Sequence, residues 1–207
     1  MTWTLPNILT VLRLLAAPGV ALMFLYFARP LADWFALALF ILAAVTDWFD
    51  GYLARLWHQE SKFGAMMDPI ADKAMVVIAL VIITGYSGMN PWLILPVTVI
   101  LFREVFVSGL REFLGADSSK LKVTKLAKWK TTAQMVAIST LFLGTGLTYL
   151  ERGRPPLVGE GDLPQGASIA DLATHAGLAL IWIAALLTAI TGWDYFRKAL
   201  PYLRGPK

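Results

Sequence analysis

The stretch TDWFDGYLARLWHQESKFGAMMDPIADKAMVV, residues 46–77, sets Asp47, Asp50, Asp68 and Asp72 at the junction of two strongly apolar segments. On a helix continuing through residues 46–58, Asp47, Gly51 and Arg55 fall in one row at four-residue spacing, with Asp50 and Ala54 in the neighbouring row. On the following helix Gly64, Asp68 and Asp72 form a second such row. Each pair of acids thus shares a face with side chains small enough to admit a ligand close to the backbone. Pro69 suits a helix start, where its missing N–H costs little, and either choice of start keeps Asp68 and Asp72 one turn apart.

The surroundings of this stretch make the acids costly. The chain of 207 residues is 57% hydrophobic and 15% charged, against roughly 25% charged in soluble domains, and its mean hydropathy is +0.63. Such a chain belongs in a membrane. Each span needs about 20 apolar residues to cross a hydrocarbon layer of roughly 30 Å, so the length suits a single domain over residues 1–207 and leaves no room for a second. Apolar runs near 8–27, 32–54, 64–85, 92–113, 126–147 and 173–194 predict the spans. The expected fold is all-α: an integral membrane bundle of six transmembrane helices with a short N-terminal interfacial segment. Arg13 inside the first run, and the lack of a basic stretch before it, argue for a retained span over a cleaved signal. With no cysteine, disulfides, cysteine metal sites and thiol nucleophiles are excluded.

Basic residues orient the bundle. Arg55, Lys62, the run from Arg111 to Lys130, and the tail residues Arg197, Lys198, Arg204 and Lys207 lie on one side, whereas the opposite connections hold Arg29, Arg152 and Arg154. Short loops rich in Lys and Arg stay cytoplasmic, which places both termini and the aspartate cluster on the cytosolic side. The net charge of +4, spread beside apolar segments, suits anionic lipid headgroups and not nucleic acid. Residues 118–130 can lie in the headgroup plane or serve as a plain basic loop. The loop at 151–166 is the one long polar connection.

A carboxylate near mid-span costs about 2.5–3.5 kcal/mol even on the lenient insertion scale, and four together repel one another. Arg55 and Lys73 are too few to neutralise them. Hard divalent cations such as Mg²⁺ or Mn²⁺ prefer carboxylate oxygens; a pair balances four charges and can clamp a phosphoryl group. Arg55 is placed to bind phosphates. Taken singly, Asp47 and Asp50 also suit a helix cap or a pair with Arg55, Lys73 suits a counter-charge to Asp68 or Asp72, and Gly51, Ala54 and Gly64 suit helix packing. The combined spacing favours the metal site. No EF-hand loop is present, and His58 and His175 are too far apart in sequence to suggest a metal pair.

The pattern Asp47-x2-Asp50-Gly51-x2-Ala54-Arg55-x8-Gly64-x3-Asp68-x3-Asp72 resembles, at every position, the signature of the CDP-alcohol phosphotransferase family. Residues 7–18, 103–113 and 128–134 resemble the branch of that family whose acceptor is glycerol 3-phosphate. The resemblance implies a homodimer in the bacterial cytoplasmic membrane with a cytosol-facing site for two metal ions. It implies that Asp47, Asp50, Asp68 and Asp72 hold the metals, that Asp72 is the general base, and that Gly51, Ala54, Arg55 and Gly64 embrace the CDP group, helped by Asn7 and Thr10. The implied reaction moves the phosphatidyl group of CDP-diacylglycerol to the primary hydroxyl of glycerol 3-phosphate, releasing CMP. An acceptor carrying its own phosphate needs a second cationic pocket. Arg103 and Arg111, eight apart on one helix face, and Lys130 at the head of the next span are its candidates. Snorkelling to the interface is the competing role for Arg111 and Lys128, and for Arg103 a pair with Glu104 or with a neighbouring helix.

Other acceptors for the same chemistry are inositol phosphate, serine and phosphatidylglycerol. Intramembrane prenyltransferases also use aspartate-rich motifs, but the Gly51, Ala54, Arg55 and Gly64 spacing fits them poorly. An ion transporter would need acids along a path through the bilayer, and these four cluster at one side.

Overall fold

A computed structural model describes residues 4–56, 61–115, 125–153 and 168–203, except for the side chains of Pro6, residues 47–56, Lys125, Ala127 and Lys128. It contains α1 (Leu5–Tyr26), α2 (Leu31–Leu56), α3 (Lys62–Tyr86), α4 (Pro91–Leu114), α5 (Lys125–Arg152) and α6 (Ile169–Leu203), with no strand among the described residues. These helices coincide with the six expected spans and form an integral membrane bundle. By length and composition α1, α4, α5 and α6 can each cross a membrane, and α2 adds the apolar stretch Leu31–Thr46. Of the interfacial segment expected ahead of residue 8, residues 1–3 lie outside the described part, and from Leu5 onward the chain is already in α1.

Local chemistry sets the helix ends. Ser61 caps α3 by accepting the Gly64 N–H at 2.9 Å. Asn90 caps α4 by accepting the Trp92 N–H at 3.0 Å, just ahead of Pro91 at the first helical position. Gly115, at φ +50°, ends α4 in the left-handed region that glycine tolerates best. Two expectations need correction. Because α3 starts at Lys62, Pro69 lies inside the helix and not at its start, and it removes the backbone bond back to Ala65. α6 runs to Leu203, well past residue 194, and its 35 residues span about 52 Å at 1.5 Å per residue. That exceeds a hydrocarbon layer of roughly 30 Å, so several turns project beyond it.

α1 packs against α2 and α3, α5 against α6 and α2, and α4 against α6. The core between them is built from Ala17, Val20, Ala36, Phe40, Met75, Ala79, Leu80, Ile138, Phe142 and Ile181. Small residues bring the backbones close, as in other membrane bundles. A Cβ on Gly177 would lie 2.8 Å from Leu141 Cδ2, and one on Gly144 would lie 2.8 Å from Thr174 Oγ1. Outward faces carry Leu15, Leu25, Phe102, Val105, Trp129 and Leu186, all exposed. An apolar exterior is what a lipid solvent requires.

Candidate active site

Three residues on one face of α1, three apart in sequence, reach across to the acids of α3 and its cap. Asn7 Oδ1 accepts from Ser61 Oγ at 2.7 Å, Thr10 Oγ1 donates to Asp68 Oδ1 at 2.7 Å, and Arg13 Nη1 donates to Asp72 Oδ1 at 3.2 Å. Gly64 makes this approach possible, since a Cβ there would stand 2.9 Å from Asn7 Oδ1. Arg13 is 3% exposed, yet the Asp72 side chain keeps 37% of its surface open. The carboxylate is held from behind and presented to solvent in front.

The α2 backbone passes the same place: Ala43 and Ala44 line a narrow gap together with Arg13, Asp72 and Met75. Asp47 follows Ala43 by one helical turn. The side chains of Asp47, Asp50, Gly51, Ala54 and Arg55 lie outside the described residues. Among the described residues no three acids or histidines converge as a metal cluster. Asp68 and Asp72 supply carboxylate oxygens, the donor type that hard divalent cations take, so the chemistry of the set fits such ions.

Deeper between α3, α4 and α5, Asp72, Lys73, Glu104, Lys130, Thr131 and Gln134 line a cavity of about 180 Å³. A second cavity of about 220 Å³ shares Lys73, Glu104, Lys130 and Thr131 with it and adds Arg103, Ser108, Arg111 and Tyr195. The three cations expected to form one pocket, Arg103, Arg111 and Lys130, do line one cavity. Lys130 is 5% exposed and pairs with Glu104, itself 8% exposed. Arg103 Nη1 reaches the same Glu104 Oε1 at 3.2 Å, while its Nε is buried without a hydrogen-bond partner. Arg111 is exposed but not merely snorkelling: its Nη2 donates to Tyr195 Oη at 2.8 Å, and the Tyr195 ring lies 5.3 Å from its guanidinium carbon.

Sequence reasoning placed Lys73 as counter-charge to Asp68 or Asp72. In the structure its Nζ donates to Ser108 Oγ at 2.5 Å and lines both cavities, making it a fourth cation of the pocket. Following Asp72 directly on a helix, it points about 100° away from it, a signal the sequence did carry. Arg13, Ser108, Tyr195 and Gly192 were also missed as site residues. Gly192 gives Arg103 room, because a Cβ there would stand 2.9 Å from Arg103 Cγ. On its other side Arg103 borders an apolar cleft of about 540 Å³ lined by Phe102, Phe106, Trp193 and Phe196.

A membrane-embedded helical bundle with paired carboxylates beside a cationic cavity is the frame for phosphate chemistry at a lipid surface. The family model described as CDP-alcohol phosphatidyltransferase matches residues 3–190, and the chain belongs to that family. It is 75% identical to a protein of Cereibacter sphaeroides named CDP-diacylglycerol–glycerol-3-phosphate 3-phosphatidyltransferase, with all of both chains covered. Proteins of the same name from Rickettsia bellii and Escherichia coli K12 are 40% and 36% identical, each over 96% of both chains.

Proposed function

We propose that this chain transfers the phosphatidyl group from CDP-diacylglycerol to the primary hydroxyl of glycerol 3-phosphate, releasing CMP and forming phosphatidylglycerophosphate. One observation carries the reading: Asp72 and the cations Lys73 and Lys130 line a single cavity whose wall continues into a pocket holding Arg103 and Arg111. A base and a phosphate receptor thus stand side by side, as an acceptor with a hydroxyl and a phosphate requires. Full-length identity of 75% to a relative named for this reaction supports the same substrates.

Members of the family use divalent metal. Asp47, Asp50, Asp68 and Asp72 would hold two ions, Mg²⁺ or Mn²⁺, which supply charge neutralisation for the pyrophosphate and a better leaving group. Gly51, Ala54, Arg55 and Gly64, with Asn7 and Thr10, bind the CDP group. Thr10 fixes Asp68, and Arg13 fixes the rotamer of Asp72. Asp72 takes the proton of the acceptor hydroxyl, whose oxygen attacks the lipid-linked phosphorus in line as CMP departs. Lys73, Arg103, Arg111 and Lys130 hold the acceptor's phosphate and so orient its hydroxyl, and positioning supplies much of the rate. The distribution of Lys and Arg supports a cytosol-facing site and cytosolic termini in the bacterial inner membrane. The family resemblance supports a homodimer.

The test is metal-dependent CMP release from CDP-diacylglycerol by the purified protein, with glycerol 3-phosphate, inositol phosphate, serine and phosphatidylglycerol offered in turn. Turnover with glycerol 3-phosphate alone is the expected result. Preference for serine or phosphatidylglycerol would overturn the acceptor assignment.

A further inference from the structure

The cavity of about 220 Å³ is lined by Lys73, Arg103, Arg111 and Lys130 and by one described carboxylate, that of Glu104. Four cations facing a partly enclosed space repel one another strongly, because the surrounding protein and lipid screen them poorly. Glu104 relieves this from a single oxygen: Oε1 accepts from both Lys130 Nζ and Arg103 Nη1. Its backbone carbonyl accepts from Ser108 Oγ at 2.6 Å, and that hydroxyl in turn takes the Lys73 ammonium. One residue on α4 therefore arrays three of the four cations. Yet the arrangement is incomplete. Arg103 Nε is buried with no partner, and one carboxylate cannot match four cations.

Resting on the reading of this cavity as the acceptor's phosphate pocket, we propose that Glu104 is a placeholder anion and positioning residue. It holds Lys130 and Arg103 in place while the cavity is empty and shares them with the incoming phosphate, which it thereby binds less tightly than a pocket without Glu104 would. Carboxylate and phosphate oxygens accept the same donors, but a phosphate monoester dianion brings more oxygens and more charge, enough to engage Arg103, Lys130, Lys73 and Arg111 together. A dianion can therefore compete with Glu104, whereas an uncharged acceptor gains little from the cations that Glu104 already engages. Glu104 makes the pocket selective by setting a threshold of charge for entry, and it speeds departure of a product that still carries the terminal phosphate.

Wild-type protein, Glu104→Gln and Glu104→Asp, full-length in detergent, are compared by thermal unfolding against inorganic phosphate and by steady-state kinetics. Glu104→Gln should unfold at a lower temperature without phosphate, but half-saturate with phosphate at a concentration several-fold below wild type. Its KM for glycerol 3-phosphate should fall several-fold with the KM for CDP-diacylglycerol unchanged, and kcat should fall as product leaves more slowly. Glu104→Asp, which keeps the charge, should return phosphate half-saturation toward wild type. Equal or weaker phosphate binding by Glu104→Gln overturns the placeholder role while wild-type saturation leaves the pocket standing. Absence of any phosphate effect on wild type overturns both. Should Glu104→Gln fold only when purified in phosphate buffer, the placeholder role is supported; failure to fold with or without phosphate overturns it.

Discussion

Two buried arginine–carboxylate clusters sit at opposite ends of the bundle, and they differ in how their charges are matched. At one end Arg29 pairs with Asp33, whose side chain is fully buried and also accepts from Thr145 Oγ1 at 2.7 Å. The guanidinium of Arg29 is enclosed by the rings of Phe24, Tyr86 and Tyr149, the nearest centroid 4.2 Å away. Charge there is matched one to one and covered by aromatic surface. At the other end Arg13 meets an Asp72 that stays partly open, and Glu104 is the one described carboxylate among four cations around a cavity. Burial of charge is common to both. Unmatched charge beside empty volume sets the second apart and is what supports reading it as a site, since it leaves binding energy for a ligand to claim.

Breaking each end separately should produce opposite signatures. The largest effect is expected from Asp72→Asn, which removes the base and should lower CMP release by about 10²-fold or more while the protein remains folded; near-normal turnover would remove Asp72 from the proton transfer. Next, Arg103→Ala deletes charge-assisted bonds worth roughly 1.5–3 kcal/mol. It should raise the KM for glycerol 3-phosphate about tenfold or more and leave that for CDP-diacylglycerol near wild type. Equal rises in both constants would move Arg103 out of the acceptor pocket. The smallest effect on chemistry belongs to the closed end. Arg29→Met strands a buried Asp33 and should cost about 3–5 kcal/mol of stability, read as a lower unfolding temperature, with kcat of the folded fraction within about twofold of wild type. A large drop in kcat there would dissolve the distinction between the two ends.

The α3 acids were readable because four-residue spacing on a helix puts side chains on one face whatever the helix packs against. Arg103, Arg111 and Lys130 were readable for a related reason, as cations inside or beside apolar runs demand a partner. The pairing of Arg103 with its neighbour Glu104 was readable as well, whereas the meeting of Lys130 with that Glu104 and of Arg111 with Tyr195 was not. Nothing local to α1 says that Arg13 backs Asp72, a residue 59 positions away. Tyr195 was hidden because hydropathy marks where apolar side chains stop and not where backbone hydrogen bonds stop, so the last turns of α6 fell outside the expected span.

By itself the sequence determined the solvent, the helices and the spacing of the four acids along them, because hydropathy and spacing are properties of short segments. Tertiary structure decided which charges cancel. It covered Arg29 and Asp33 with rings, turned Lys73 from Asp72 toward Ser108, and brought Glu104 between Lys130 and Arg103. These outcomes depend on helices far apart in sequence meeting at fixed rotation, and rotation is set by packing across the core.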